Sequence, residues 1–392
     1  MEQPLFRKDH SVHPFGNYRL TVTAPSLRSS LLLGLSLNLL FTACPDNNNP
    51  PPIADCDPGW HPCETDSTEC CLDTTSHNFV WEIDTLGDYG SYLNDVAIID
   101  ENNIWVVGEI RTESGKFNAA HWNGEEWELV VIQPEQYLFG QYTSVFGFES
   151  NDVWFGSSIV VHWDGNSFSG YGLNEGYPGG FYVKAIWGTS STDIYFVGGN
   201  GSIVHYDGSG FEKMESGTDV DLLDIDGTRD GEHVFAVGWD ATLPAPCVVL
   251  EFTNGIWNTL YYTEGSQPNN GNVGWVWGVG VINNMAYFPT SAGLWKYNFT
   301  DQDSVLIPNS ISHMNRSAFK SVHINSVNDI FFAGSGFQYI HFNGSTYHYS
   351  QEITDMYTQR AMWGANYKNG LAVMVGMFDS FSHALVAKGH HE

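Results

Sequence analysis

One stretch recurs about seven times along the chain, and no other feature limits the possible folds so strongly. It is clearest from Val183 to Phe211, where Ala-Ile-Trp-Gly, Asp-Ile-Tyr-Phe-Val-Gly, Ile-Val-His-Tyr and the turn Asp-Gly-Ser-Gly follow one another. Short apolar runs rich in β-branched and aromatic residues, punctuated by Gly, Asn and Asp, form β-strands joined by tight turns. Each unit therefore reads as four strands.

The second strand of the unit gives the register of the repeat. Asn103-Ile104-Trp105-Val106-Val107-Gly108 returns around Trp154, Tyr195, Phe235, Tyr287 and Phe331, and in weaker form from Gly370 to Gly376. A spacing of roughly forty to fifty residues is that of a four-stranded propeller blade. Ahead of each second strand lies an apolar residue that marks an innermost strand: Val96, Val145, Ile186, Ile225, Val276, Val322 and Met362. Behind it lies a third strand ending in His121-Trp122-Asn123-Gly124, His162-Trp163-Asp164-Gly165, His205-Tyr206-Asp207-Gly208 or His341-Phe342-Asn343-Gly344. Asn-Gly and Asp-Gly favour a two-residue hairpin with positive φ angles. A fourth strand is expected directly after, around Trp127, Phe168, Phe211 and Tyr347.

The seventh unit stops after its third strand, Ser382 to Lys388, whereas His77 to Leu86 reads as a strand without a blade. In that segment Phe79, Trp81 and Ile83 alternate onto one face. The expected fold is all-β: a seven-bladed β-propeller of four-stranded antiparallel blades over residues 77–392, its ring closed by the N-terminal strand. Closure removes the open edge that would otherwise pair with other chains. In period and pattern, residues 77–388 resemble bacterial β-propeller repeat proteins, loosely the sialidase-like and kelch-like relatives. The Ser-x-Asp-x-Gly-x-x-Trp box of the first and the recurring Gly-Gly pair of the second are absent. The resemblance implies a fold and leaves the activity open, since propellers host many.

Composition narrows the partners. Lys and Arg number 15 against 45 Asp and Glu, a formal charge of -30. A nucleic-acid groove needs clustered cations, so nucleic acid is excluded as a ligand. Aromatics at 15%, with 41 Gly, agree with many short strands and little helix.

The N-terminus reads as an address. Arg19 and Arg28 precede the apolar run Leu31 to Phe41, which ends in Thr42-Ala43-Cys44. A basic start, a short apolar stretch and small residues describe an export signal over residues 1–43, too short to span a bilayer. The small pair before Cys44 resembles the lipobox of bacterial lipoproteins, although Phe41 stands where that family prefers Leu. The resemblance implies that Cys44 carries lipid and begins the mature chain, holding it in the cell envelope at the outer membrane or cell surface. Residues 44–76 would then be a tether, because Pro45 to Asp55 is too polar and proline-rich to bury a core. Cys56, Cys63, Cys70 and Cys71 follow closely, and in an exported chain they point to two disulfides of undetermined pairing. Zinc is the alternative, but no Cys-x-x-Cys pair is present. Cys247, in an apolar run, is expected to be a buried free thiol.

Candidate sites are few. His121, His162, His205 and His341 occupy one place in four different blades, too far apart to share a metal ion. Acidic turns such as Glu101-Asn102-Asn103 and Asn151-Asp152 leave calcium possible, without the closely spaced carboxylates of a dedicated loop. Asp224 and Asp226 are two apart on an innermost strand and share a face, as two catalytic carboxylates could. Arg111, Arg229, Arg316 and Arg360 are too scattered to help them bind an acidic sugar. The long connections gather on one face: Glu109 to Asn118, Pro134 to Gln141, Gly172 to Gly180, Trp239 to Pro246, Glu264 to Asn272 and Pro308 to Arg316. With them come Tyr137, Phe139, Tyr177, Trp239 and Tyr262, the expected ligand contacts. The sequence thus favours a monomeric, cofactor-free binding or scaffold propeller for a protein or glycan. The alternative is a carbohydrate-active hydrolase or lyase using the channel carboxylates.

Overall fold

The computed structural model describes residues 60–62, 70–72 and 74–391, apart from residue 136 and segments 174–180, 241–244, 265–272, 313–318, 354–360 and 379–382. The leader, Cys44, Cys56 and Cys63 lie outside the described residues. Cys70 and Cys71 belong to a short strand, Cys70–Leu72, antiparallel to Trp60–Pro62.

From residue 79 onward the chain forms seven four-stranded antiparallel sheets. Blade one runs through Tyr92–Asp100, Asn103–Thr112, Gly115–Trp122 and Trp127–Val130. Blades two to six repeat this order, with innermost strands Ser144–Glu149, Val183–Ser190, Leu222–Gly227, Gly280–Ile282 and Phe319–Ser326. Blade seven takes three strands from the C-terminal region, Ala361–Lys368, Leu371–Phe378 and His383–His391, and its fourth from Phe79–Leu86. The closing pairs run from Phe79 opposite His391 to Leu86 opposite Ala384. Helix among the described residues is limited to Asn309–Ser312, residues 352–353 and a single 3-10 turn at Gly199–Gly201.

The apolar residues are divided among seven clusters, and each cluster fills the seam between two neighbouring blades. Trp105 and Val107 of blade one meet Val153, Phe155 and Val161 of blade two, for example. A lone blade could not bury both faces, so the ring holds together only when every seam is filled. Phe79, with Trp81 and Ile83 beside it, fills the seam between blades six and seven. Leu86 of the same strand faces the seam between blades seven and one.

Three expectations need correction. In blade one the innermost residue Val96 stands opposite Val106, but in blade seven the residue opposite Met374 is Ala365, and Met362 pairs with Gly376. Val276 likewise precedes its blade's strand and makes an isolated bridge with Thr290, leaving Val279 at the central place. Small residues near the true centre made apolar neighbours three positions earlier look like the repeat.

The Asn-Gly and Asp-Gly turns are four residues long, since Trp122 pairs with Trp127 and Tyr206 with Phe211. Only the glycine takes a positive φ, at 94° in Gly124 and 85° in Gly208. The preceding side chain closes the loop instead: Asn123 Oδ1 accepts the N–H groups of Glu125 and Glu126, both at 2.9 Å. Asp207 does the same for Ser209 and Gly210. Finally, Glu109 to Asn118 is no loop but a lengthened hairpin in which Ile110 faces Phe117.

Candidate functional site

Two residues before each central position stands one side chain per blade: Asn94, Thr143, Lys184, Leu223, Trp277, Lys320 and Trp363. All seven line one central cavity of 820 Å³. They lie near the start of the innermost strands, on the face where connections between blades arrive. In five blades the ladder skips this residue: Asn94, Lys184, Leu223, Lys320 and Trp363 each fall at a register shift. A bulge leaves its extra residue unpaired and re-aims it, here into the channel.

The glycine that ends the second strand makes room for this bulge. A Cβ on Gly108 would come within 2.2 Å of the Tyr92 carbonyl oxygen, and one on Gly238 within 1.9 Å of that of Asp221. The recurring Val-Gly is therefore the sequence mark of a channel-facing residue two places beyond that carbonyl.

The ring is chemically uneven. Blades five, six and seven present Trp277, Lys320 and Trp363 in order, and Lys184 stands across from them in blade three. Trp239 also lines the cavity and stacks on Trp275, centroids 4.8 Å apart at 17°. Tyr92 meets Trp363 edge-on at 5.6 Å. Lys184 lies 4.9 Å over the ring of Tyr182, and burial pulls the Lys320 ammonium below its usual pKa. Among the described residues neither lysine, nor Arg229 beside them, has an ion-pair partner, in a chain of charge -30. Such an arrangement can stack flat or apolar groups on indole faces and hold an anionic group at the ammonium between them.

Deeper in the channel the carboxylates are engaged. Asp224 accepts the N–H of its own neighbour Ile225 at 2.9 Å and that of Val279, in blade five, at 3.0 Å. Asp226 accepts from Gly227 at 2.9 Å and from Val281 at 2.6 Å, and Trp187 adds a side-chain hydrogen bond. Asp95, which sequence reasoning passed over, does the same toward Val96 and Val145, both at 2.9 Å. Burial pushes all three up, Asp95 and Asp226 to about 7 and Asp224 to about 8. These groups clasp one blade to the next. His323, opposite them, is pulled down to about 4 by burial, and its Nε2 meets Ser321 Oγ.

Of the described aromatic residues expected to touch ligand, Trp239 alone lines the channel, and it ends the strand Val234–Trp239 rather than lying in a loop. Tyr137 packs where a Cβ on Gly170 would come within 2.6 Å of its ring. Phe139 is exposed, and so is Tyr262, which sits on the outer strand Ile256–Glu264 opposite Val248. Tyr177 lies outside the described residues. His121, His162, His205 and His341 each pair with a residue of their own blade, at 2.7, 2.8, 2.6 and 2.9 Å. Asp152 and Asp193 are thereby occupied. Cys247 is buried and free, its thiol pushed up to about 12 by burial, and its sulfur accepts the Val276 N–H at 3.2 Å.

No protein-family model and no curated protein matches the chain. Solved structures do resemble it. YCF48 bound to D1 peptide superposes with a TM-score of 0.60 at 14% identity, covering 82% of this chain and 98% of that one. The WD40 β-propeller domain of Doa1 follows at 0.55 and 12%, covering 80% and 98%. YCF48 from Cyanidioschyzon merolae gives 0.53 and 13%, covering 79% and 98%. At such identities the likeness is one of fold.

Proposed function

We propose that this protein is an exported, lipid-anchored scaffold that holds a protein ligand at the channel mouth on its long-connection face. The observation that carries this reading is the ring set by bulges, with unpaired Lys184 and Lys320 and the flanking Trp277 and Trp363. Aromatic anchors and a partly desolvated cation are the residue types that dominate protein interfaces. Fold neighbours support it: one is described as bound to a peptide. The favoured ligand is a segment with an acidic group beside an apolar or aromatic one. The anchor at Cys44 and the tether through residue 76 would keep the ring off the membrane surface.

A peptide array probed with the purified chain tests this directly. Acidic-aromatic peptides should bind, and Lys320→Glu or Trp363→Ala should weaken them about tenfold or more. Binding to a glycan array with no peptide retained would replace protein by glycan as the ligand. Peptide binding unaffected by both substitutions would move the site away from the channel mouth.

A further inference from the structure

His341 holds the same place in blade six as His121, His162 and His205 in theirs, yet its surroundings differ. His162 and His205 keep side-chain exposures of 23% and 22%, whereas His341 has none. Two further imidazoles cover it. His391 comes from the end of the third strand of blade seven, with ring centroids 4.8 Å apart. His77 comes from just ahead of the closing strand, its Nδ1 3.0 Å from Nδ1 of His341.

Hydrogen bonding accounts for only part of this cluster. His341 Nε2 faces Asp329 Oδ1 at 2.9 Å, and His77 Nε2 faces Thr346 Oγ1 at 2.9 Å. His391 Nε2, however, is buried without any partner. One ligand atom from each of Asp329, His341 and His391 lies within 4.8 Å of the other two. A buried, unpartnered imidazole nitrogen next to a carboxylate and a second imidazole is the donor set of a metal site.

We propose that Asp329, His341 and His391 bind one zinc ion, which fastens the seam where the ring closes. Two imidazoles and a carboxylate suit zinc, and bonds of about 2.0–2.2 Å place tetrahedral ligand atoms about 3.3 Å apart. Asp329 and His341 must part slightly, and His391 must draw in. The outer contacts are already arranged for it. Tyr367 O–H donates to Asp329 Oδ1 at 2.7 Å and Asn325 Nδ2 to Oδ2 at 3.0 Å, which fixes the carboxylate. With His341 Nε2 on the ion, its Nδ1–H donates to His77 Nδ1, His77 Nε2–H to Thr346 Oγ1, and the Thr346 hydroxyl to Asn343 Oδ1 at 3.3 Å. Every donor in that relay has an acceptor, as second contacts of a histidine ligand require. Asp329 and His341 belong to blade six and His391 to blade seven, so the ion would bridge them.

The test is zinc titration of the full chain, treated first with iodoacetamide so that no thiol competes. One zinc per chain should bind and raise the melting temperature, and cobalt(II) should give the visible bands of a tetrahedral site. His391→Ala should weaken zinc at least about tenfold and abolish the cobalt bands. His390→Ala, changing an exposed neighbour, should alter neither. His391→Gln, closer in size, serves with the same readouts if the alanine variant does not fold. Absence of bound zinc, or equal binding by the wild type and the His391 variant, would overturn the proposal.

Discussion

Asp224 Oδ2 accepts the backbone N–H of Val279 across the seam between blades four and five, at 3.0 Å. Asp226 to Val281 and Asp95 to Val145 repeat the contact. A carboxylate used this way is both a clasp and a liability, since burial holds it well above its ordinary pKa.

The first prediction follows from the sign of that shift. The folded chain keeps these protons to about pH 7 for Asp95 and Asp226 and about pH 8 for Asp224, whereas the unfolded chain releases them near 3.8. Between those limits the native state binds more protons, so stability falls as pH rises and levels off above about pH 8. Melting measured at constant ionic strength should drop from pH 5 to pH 8.5. Asp224→Asn should flatten part of that slope, while costing roughly 1–3 kcal/mol because its amide nitrogen must face a backbone N–H. An identical slope in the variant would show that Asp224 titrates normally.

A second prediction concerns the glycine behind each bulge. Gly238→Ala forces a methyl against the Asp221 carbonyl, whereas a Cβ on Gly210 meets nothing within 4 Å. Urea unfolding should place Gly238→Ala at least about 1–3 kcal/mol below wild type and Gly210→Ala within about 0.5 kcal/mol of it. Equal midpoints would mean that the strand shifts freely at this point.

Ring closure gives the third. Phe79 is buried, and Trp81 and Ile83 pack beside it. Each large apolar side chain contributes roughly 1.5–3 kcal/mol, against a total stability of about 5–15 kcal/mol. A chain beginning at Gly90 should aggregate or melt far lower than one beginning at Thr75. Matching melting temperatures would show that the ring holds without this strand.

The address is tested separately. Cys44→Ala should abolish lipid labelling and release the protein into the soluble fraction. Native alkylation mass spectrometry should find no free thiol among Cys56, Cys63, Cys70 and Cys71. Labelling that survives the substitution, or stoichiometric zinc on the four thiols, would refute the respective reading.

The ring and its closure were legible because the signal repeats. The second-strand anchors from Trp105 to Phe331 are large, apolar and evenly spaced, and the unmatched strand at Phe79 fitted the one incomplete blade. The channel-facing ring was legible only in outline. Among the aromatics that the sequence offers as ligand contacts, Tyr137 packs against the outer strand of blade two, Phe168–Tyr171, and Tyr262 lies on an outer strand itself. Lys184, Lys320, Trp277 and Trp363 went unnoticed because they differ from blade to blade, and alignment rewards what stays the same. Their mark, a constant glycine opposite a bulge, needs the pairing register to be read. The imidazole cluster was hidden for another reason: His77 and His391 come from opposite ends of the propeller sequence.

The pairing of Phe79–Leu86 with His383–His391 also sets an order of events. The first strand of the propeller to emerge in synthesis finds its partner only in the last of the propeller strands. Until then blade seven has only the pair Ala361–Lys368 and Leu371–Phe378, and the faces of blades one and six that meet it stay uncovered. Assembly of the last blade thereby becomes the slow and vulnerable step of folding.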